Sequence, residues 1–204
     1  MDRHATKTAR GLLAAIAVVA FAAFAVPASA SAACDGQALS KPFARWLDFA
    51  DYTMPDDGSF EAGASGWQLD RATVVADNEP FGVHGANDSN ALRVPAGGSA
   101  VSTPICIGLG HPTLRLFARS SASLTLSSLR VDVRFLDSSG NQRSLPVGTL
   151  LPGTRWQPTL PMPVVVNLLS VLPAGPSEVR LAFTPVGPAT WWIDDVYVDP
   201  KARN

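Results

Sequence analysis

From position 67 onward the chain is written in short runs rich in Val, Leu and Thr, broken every eight to fifteen residues by clusters of Gly, Pro, Asn, Asp or Ser. Runs of that length bounded by turn formers are what strands need, and no long stretch carries the 3.6-residue apolar period of a helix. The runs predict nine strands, at 67–75, 91–94, 100–107, 113–119, 128–137, 142–147, 164–171, 178–184 and 191–199. Nine short strands with little helix confine the chain to a β-sandwich or barrel.

Alternation within the runs assigns faces. Leu129, Val131, Val133 and Phe135 oppose Arg130, Asp132, Arg134 and Leu136, while Val179, Leu181 and Phe183 oppose Arg180, Ala182 and Thr184. In 114–119 the same period buries Leu114, Leu116 and Ala118 and turns Arg115, Phe117 and Arg119 outward. Such strands bury one face and solvate the other. In the last run Trp191, Ile193, Asp195 and Tyr197 fall on one side by strict alternation. The stretch 151–163 holds four of the 17 prolines, which suits a crossover between sheets better than a central strand.

The N-terminal part has a different texture. Arg3, Lys7 and Arg10 precede an unbroken apolar run at 11–26, then come Pro27 and a small-x-small triplet at Ala28-Ser29-Ala30. This reads as a secretory signal over 1–30, with cleavage between Ala30 and Ala33. The run falls short of the ~20 residues that cross a bilayer, so no membrane span is expected after cleavage, and the protein is expected to be secreted or at the cell surface. Three of the 16 Lys+Arg and one of the 17 Asp+Glu lie in 1–30, which leaves 13 against 16 and a net charge near −3. That balance argues against nucleic acid as a partner. Residues 34–56 are poorly strand-like, with Phe43, Trp46, Leu47 and Phe49 at near-helical spacing, and read as an arm laid across a domain at 57–204. Cys34 and Cys106 are the two cysteines of an exported chain, and a single disulfide is the economical assignment. On the chain-entropy model it is worth about 4 kcal/mol.

Enzyme signatures are thin. His84 and His111 are isolated in turns, no Gly-x-Ser-x-Gly elbow, P-loop or dinucleotide glycine pattern occurs, and paired cysteines leave no thiolate nucleophile. Paired carboxylates for glycoside cleavage have no fixed spacing, so a glycan hydrolase remains a low-weight alternative.

Two short motifs stand at the ends of the β-rich region: Phe60-Glu61 followed by Gly66-Trp67, and Ile193-Asp194-Asp195-Val196. Two adjacent carboxylates in an aromatic and β-branched strand run against strand propensity, so something must hold them there. The pair of motifs resembles the opening "FE, then GW" and the closing "IDDV" of bacterial galactose-binding-like jelly rolls, the fold shared by many carbohydrate-binding modules. The resemblance implies an all-β jelly-roll sandwich with a short N-terminal arm. It also implies a structural Ca²⁺ held by Glu61 and Asp194, with Asp57 a weaker contributor from the preceding turn. The residues alone leave open that Asp194 and Asp195 simply accept hydrogen bonds from amides or arginines.

If the strands carrying Arg115, Phe117 and Arg119, then Arg130 and Arg134, then Arg180 are neighbours, their outward side chains make a guanidinium-rich face suited to a glycan. The alternative is a solvated face whose arginines pair with local acids. Trp191 and Tyr197 would add a sugar-stacking platform if their side of the strand is open, and Trp156 beside a Pro-rich loop would stand exposed. The expected function is therefore non-catalytic recognition of a glycan or cell-surface polysaccharide. A structural or protein-interaction module of the cell envelope, marked by an apolar patch near 164–172, is the alternative.

Overall fold

Two antiparallel sheets stack face to face, each built from strands scattered along the chain. The computed structural model describes residues 37–108, 112–123, 126–164 and 177–200; the expected signal at 1–30 and Cys34 lie outside them. The first sheet runs β1 (Gln68–Asp70), β4 (Ser99–Val101), β11 (Ser177–Val186), β7 (Ser128–Leu136), β8 (Gln142–Leu150), and β5 (Ile105–Ile107) also pairs with β11. The second runs β10 (Met162–Pro163), β6 (Thr113–Ser120), β12 (Trp191–Asp199), β3 (Asn90–Val94), β2 (Thr73–Ala76), and β9 (Gln157–Pro158) pairs with β6. The protein is an all-β jelly-roll sandwich, and among the described residues the helical content is a single 3-10 turn at Ala44–Trp46. No helix of the described residues is long and apolar enough to cross a membrane.

The period-2 faces meet between the sheets. Leu129, Val131, Val133 and Phe135 of β7 and Val179, Leu181 and Phe183 of β11 pack against Leu114 and Leu116 of β6 and Trp191, Ile193, Val196 and Val198 of β12. Trp67 closes one end, stacked on Phe183 at 6.1 Å and edge-on to Phe60 at 4.9 Å. Burial of these side chains supplies the main driving force for the fold.

Two predicted strands break where the chain changes partner. The run at 67–75 splits at Arg71, whose φ of 55° turns the chain from β1 in one sheet to β2 in the other. The run at 100–107 splits at Ser102-Thr103-Pro104; there Ser102 N–H donates to the Leu181 carbonyl and Ser102 Oγ accepts from Leu181 N–H, both at 2.8–2.9 Å. The hydroxyl substitutes for a ladder partner beside a proline that has no N–H to offer. Of the predicted strand at 164–171, all but Val164 lies outside the described residues.

The arm lies on the outer face of the second sheet. Thr53 and Val198 exchange both backbone hydrogen bonds at 2.8 Å, as do Ser40 and Tyr52. The Gly58 carbonyl accepts from Val196 N–H at 3.0 Å, and a Cβ at Gly58 would come within 3.1 Å of the Val196 carbonyl and 2.5 Å of Met54, so only glycine allows that approach. A second apolar cluster forms under the arm from Phe43, Tyr52, Phe117 and Tyr197, with Phe43 stacked on Phe117 at 5.6 Å. Cys106 is buried in β5 and is not a free thiol; its expected partner Cys34 is not among the described residues.

Candidate functional site

Directly opposed residues on neighbouring antiparallel strands share a face. In the second sheet this sets up one row, Thr73 of β2, Arg93 of β3, Trp192 of β12 and Arg119 of β6. All four point away from the core and are exposed or half-buried. The Arg119 guanidinium lies 3.9 Å from the Trp192 ring centroid and 5.5 Å from that of Trp156, which reaches over from the segment before β9. Asp77, just past β2, ties the two together: one of its oxygens accepts from Arg119 Nη2 and the other from Trp156 Nε1 at 3.4 Å. Trp156 also packs on the arm's cluster beside Trp46 and Phe81, and Trp46 meets Phe81 edge-on at 5.2 Å. Arg45 caps this second pair, 5.1 Å from the Trp46 ring and 5.6 Å from that of Phe81. The result is a surface of half-buried indoles and guanidiniums along the sheet and the arm, with the guanidiniums lying over the rings and donors fit for oxygen acceptors.

The arginine row expected from the strands divides between the two sheets. Arg115, Phe117 and Arg119 belong to β6 in the second sheet, whereas Arg130, Arg134 and Arg180 belong to β7 and β11 in the first, with Arg180 opposite Arg134. In that first sheet Arg130 donates to Asp132 at 2.8 Å and Arg180 to the Ser102 carbonyl at 2.9 Å, so its guanidiniums are partly occupied. Arg115 and Phe117 do face outward, but the arm covers them: Phe117 is 0 % and Arg115 5 % exposed. Arg115 donates to the Thr159 carbonyl and to Asp48, both at 2.8 Å, and its guanidinium lies 4.0 Å from the Phe43 ring.

The expected Trp191 and Tyr197 platform does not form. The register of β12 against β6 shifts between Asp194 and Tyr197, and Asp195 takes a φ of 47°. Such a bulge inserts one residue and reverses the alternation beyond it. Trp191 and Ile193 therefore face the core while Tyr197 sits in the arm's cluster, and both Trp191 and Tyr197 are buried. Trp192, which the alternation put on the other side, is the indole that reaches the surface; Arg93 and Asp77 were likewise unmarked in the sequence. Their signal lay in cross-strand register, which one strand read alone does not carry. The envelope-interaction patch expected near 164–172 falls almost wholly outside the described residues, and Val164 is buried.

The same bulge answers what holds the adjacent carboxylates. It puts Asp194 and Asp195 on the same side of the strand, where Asp194 accepts from Glu79 N–H at 3.1 Å and from Asp195 N–H at 2.8 Å, and Asp195 accepts from His84 N–H at 3.2 Å. Glu79, itself buried, accepts from Phe81 and Val83 N–H. No arginine or lysine pairs with Glu79, Asp194 or Asp195 among the described residues. Burial first, then the neighbouring Asp195 charge, pushes the Asp194 carboxyl up to about 9; burial and the Glu79 charge push Asp195 up to about 7. Amide donors and protonation keep them in the sheet.

Glu61, Asp57 and Asp194 do not fit a shared Ca²⁺ site. The Glu61 oxygens accept from Ser89 and Asn90 N–H, the Asn90 side-chain amide and the Ser89 hydroxyl, at 2.8–3.4 Å, which takes the lone pairs a cation needs. Asp57 accepts from Ala62 and Ser65 N–H at 2.8 and 2.7 Å. Asp194 has its own, different donors. Among the described residues the grouping that brings three ligand-type atoms within 4.8 Å is His84, Asp88 and Asp195. There the His84 Nδ1 and Asp88 carboxylate already pair at 2.7 Å, an imidazole is foreign to the all-oxygen shell of Ca²⁺, and no further His, Cys, Asp or Glu of the described residues joins them. An open cleft of about 540 Å³ lies where the arm meets β5, lined by Tyr52, His84, Cys106, Glu178 and Tyr197 among others.

No family model and no curated protein matches the sequence. Solved structures do resemble the fold. A family 22 carbohydrate-binding module joined to the catalytic module of an endo-1,4-β-D-xylanase from Clostridium thermocellum, solved with xylohexaose, aligns at a TM-score of 0.50 and 16% identity over 71% of this chain. This chain spans 28% of that enzyme chain. A xylan-binding domain of family 22 aligns at 0.47 and 13% identity, covering 72% of this chain and 94% of that one. A family 61 carbohydrate-binding module solved with β-1,4-galactotriose aligns at 0.43 and 16%, covering 71% and 96%. The fold is that of the carbohydrate-binding-module type of jelly roll.

Proposed function

We propose that this protein is a secreted, non-catalytic glycan-binding module whose contact surface is the outer face of the second sheet. The observation that carries the reading is the Trp192–Arg119–Trp156 stack with Arg93 alongside, because half-buried aromatic planes flanked by fixed donors are what a pyranose ring and its hydroxyls demand. The fold likeness to the solved xylanase chain that carries a family 22 carbohydrate-binding module supports it. The N-terminal signal pattern supports export.

A glycan array followed by calorimetry tests it. Wild-type protein should bind at least one polysaccharide, and Trp192→Ala should weaken that binding by about 10- to 100-fold, the worth of one stacked aromatic, with an unchanged melting temperature. A folded protein that binds nothing on the array overturns the reading. A glycan cleaved by the pure protein overturns its non-catalytic part.

A further inference from the structure

We infer that the glycan taken by this face is anionic and carries carboxylates. The inference rests on the glycan-binding reading above and names the ligand's class.

The charge around the rings is one-sided. Arg93 and Arg119 flank Trp192 from the two neighbouring strands, Arg45 caps Trp46 and Phe81, and Arg155 is exposed immediately before Trp156. Against these four guanidiniums stands Asp77, already committed to Arg119 and Trp156. Other acids near this face are paired or buried: Asp48 pairs with Arg115, Asp51 with Lys41 and Asp88 with His84, while Glu79, Asp194, Asp195 and Asp199 are buried. The chain outside its signal is net acidic, near −3, so this clustering of arginines is local and does not reflect a basic protein.

Arg93 separates an anionic ligand from a neutral one. Arg119 is spoken for, its plane on Trp192 and its donors on Asp77. The Arg93 side chain has no hydrogen bond, ion pair or ring contact among the described residues, although it is half-buried and sits opposite the half-buried Trp192 indole. A sugar lying beside the Trp192 indole brings its ring substituents within reach of the neighbouring strand about 4.8 Å away. A guanidinium fork matches a planar carboxylate bidentately, a geometry that a single hydroxyl does not use in full.

The experiment measures binding of the full-length mature protein to polygalacturonate, to its fully methyl-esterified form, to dextran sulfate and to xylan. Polygalacturonate should bind at least tenfold more tightly than the methyl ester or xylan. Arg93→Gln should cost about 10- to 100-fold on polygalacturonate, the worth of hydrogen bonds to a charged group, at an unchanged melting temperature. Equal affinity for the acid and its methyl ester overturns the inference while leaving glycan binding intact. Dextran sulfate bound as tightly as polygalacturonate overturns the carboxylate assignment. No affinity for any of the four polymers, with the protein folded, overturns this inference, and the glycan array decides separately whether the binding module itself stands.

Discussion

Asp195 concentrates the chemistry of the closing strand in one position. Its backbone has a positive φ, its carboxyl is buried, and its resolved protein donor is His84 N–H. A carboxyl whose folded pKa lies above its unfolded value binds more protons folded than unfolded, so its stabilising contribution is complete below about pH 4 and is lost as the pH rises through about 7. Asn keeps an acceptor for His84 N–H, carries no charge and tolerates the left-handed backbone better than most residues. Asp195→Asn is therefore expected to match wild type at pH 5 and to exceed its melting temperature at pH 9; a deficit at both values counts against the account. Glu61 behaves in the opposite sense. Burial opposes its ionisation, but the amides of Ser89 and Asn90 outweigh this and hold the carboxyl below the usual carboxylate range. Glu61→Gln turns an amide N–H₂ toward donors and should cost about 1–3 kcal/mol. That loss should be the same in EDTA as in Ca²⁺, and a chelator effect on wild type that Glu61→Gln abolishes would restore the cation. The sequence marked Glu61, Asp194 and Asp195 as unusual because acids are rare in such strands. What satisfies them was hidden, since the amide donors of residues 79, 84, 89 and 90 reach them only through the fold.

The arm shows the same division between what a run of residues reveals and what its packing decides. Phe43 and Trp46 stood out by their spacing, and they do cover the sandwich. Which strands they cover was not legible, because alternation sorts side chains into two faces without saying which sheet a strand joins. Hence Arg115 and Phe117 were read as open surface and are instead the floor beneath the arm. The clamp is polar as well as apolar: Asp48 accepts from Arg115 Nη1 at 2.8 Å and from Tyr52 Oη at 2.7 Å. Burial opposes the Asp48 charge, yet the Tyr52, Ala50 and Arg115 donors hold its carboxyl below the usual range, and burial together with that bond pushes Tyr52 up to about 12. Removing the guanidinium takes the counter-charge from the largely buried Asp48 and leaves it neutral donors, so Arg115→Met is expected to destabilise by about 3 kcal/mol. Phe43→Ala opens a cavity between Phe117 and Tyr197 and should cost about 3–5 kcal/mol. Both are read from urea unfolding at neutral pH. If either variant unfolds at the wild-type midpoint, the arm is a loose appendage and the clamp is not part of the cooperative fold.

The two sets of carboxyl groups oppose each other across the pH scale, and their balance shapes the stability of the domain. Asp48 under the arm, Glu61 at the opening loop and Asp137 in the β7–β8 turn all have lowered folded values; Asp137 owes this first to Arg143 and then to Asn141 N–H. Their contribution is present above the unfolded carboxylate range and is lost as the pH falls through their folded values. Asp194 and Asp195 have raised values, and theirs is lost as the pH rises through about 7 and then about 9. Stability should therefore peak at mildly acidic pH and fall on both sides. The acid limb should come from the arm and loop contacts and the alkaline limb from the closing strand. Urea melts at pH 3, 5.5 and 9 check this, with Arg115→Met flattening the acid limb and Asp195→Asn the alkaline one. A wild-type profile that keeps rising to pH 9 would mean that Asp194 and Asp195 are ionised and compensated in the folded protein. A bound cation would then be the natural source of that compensation.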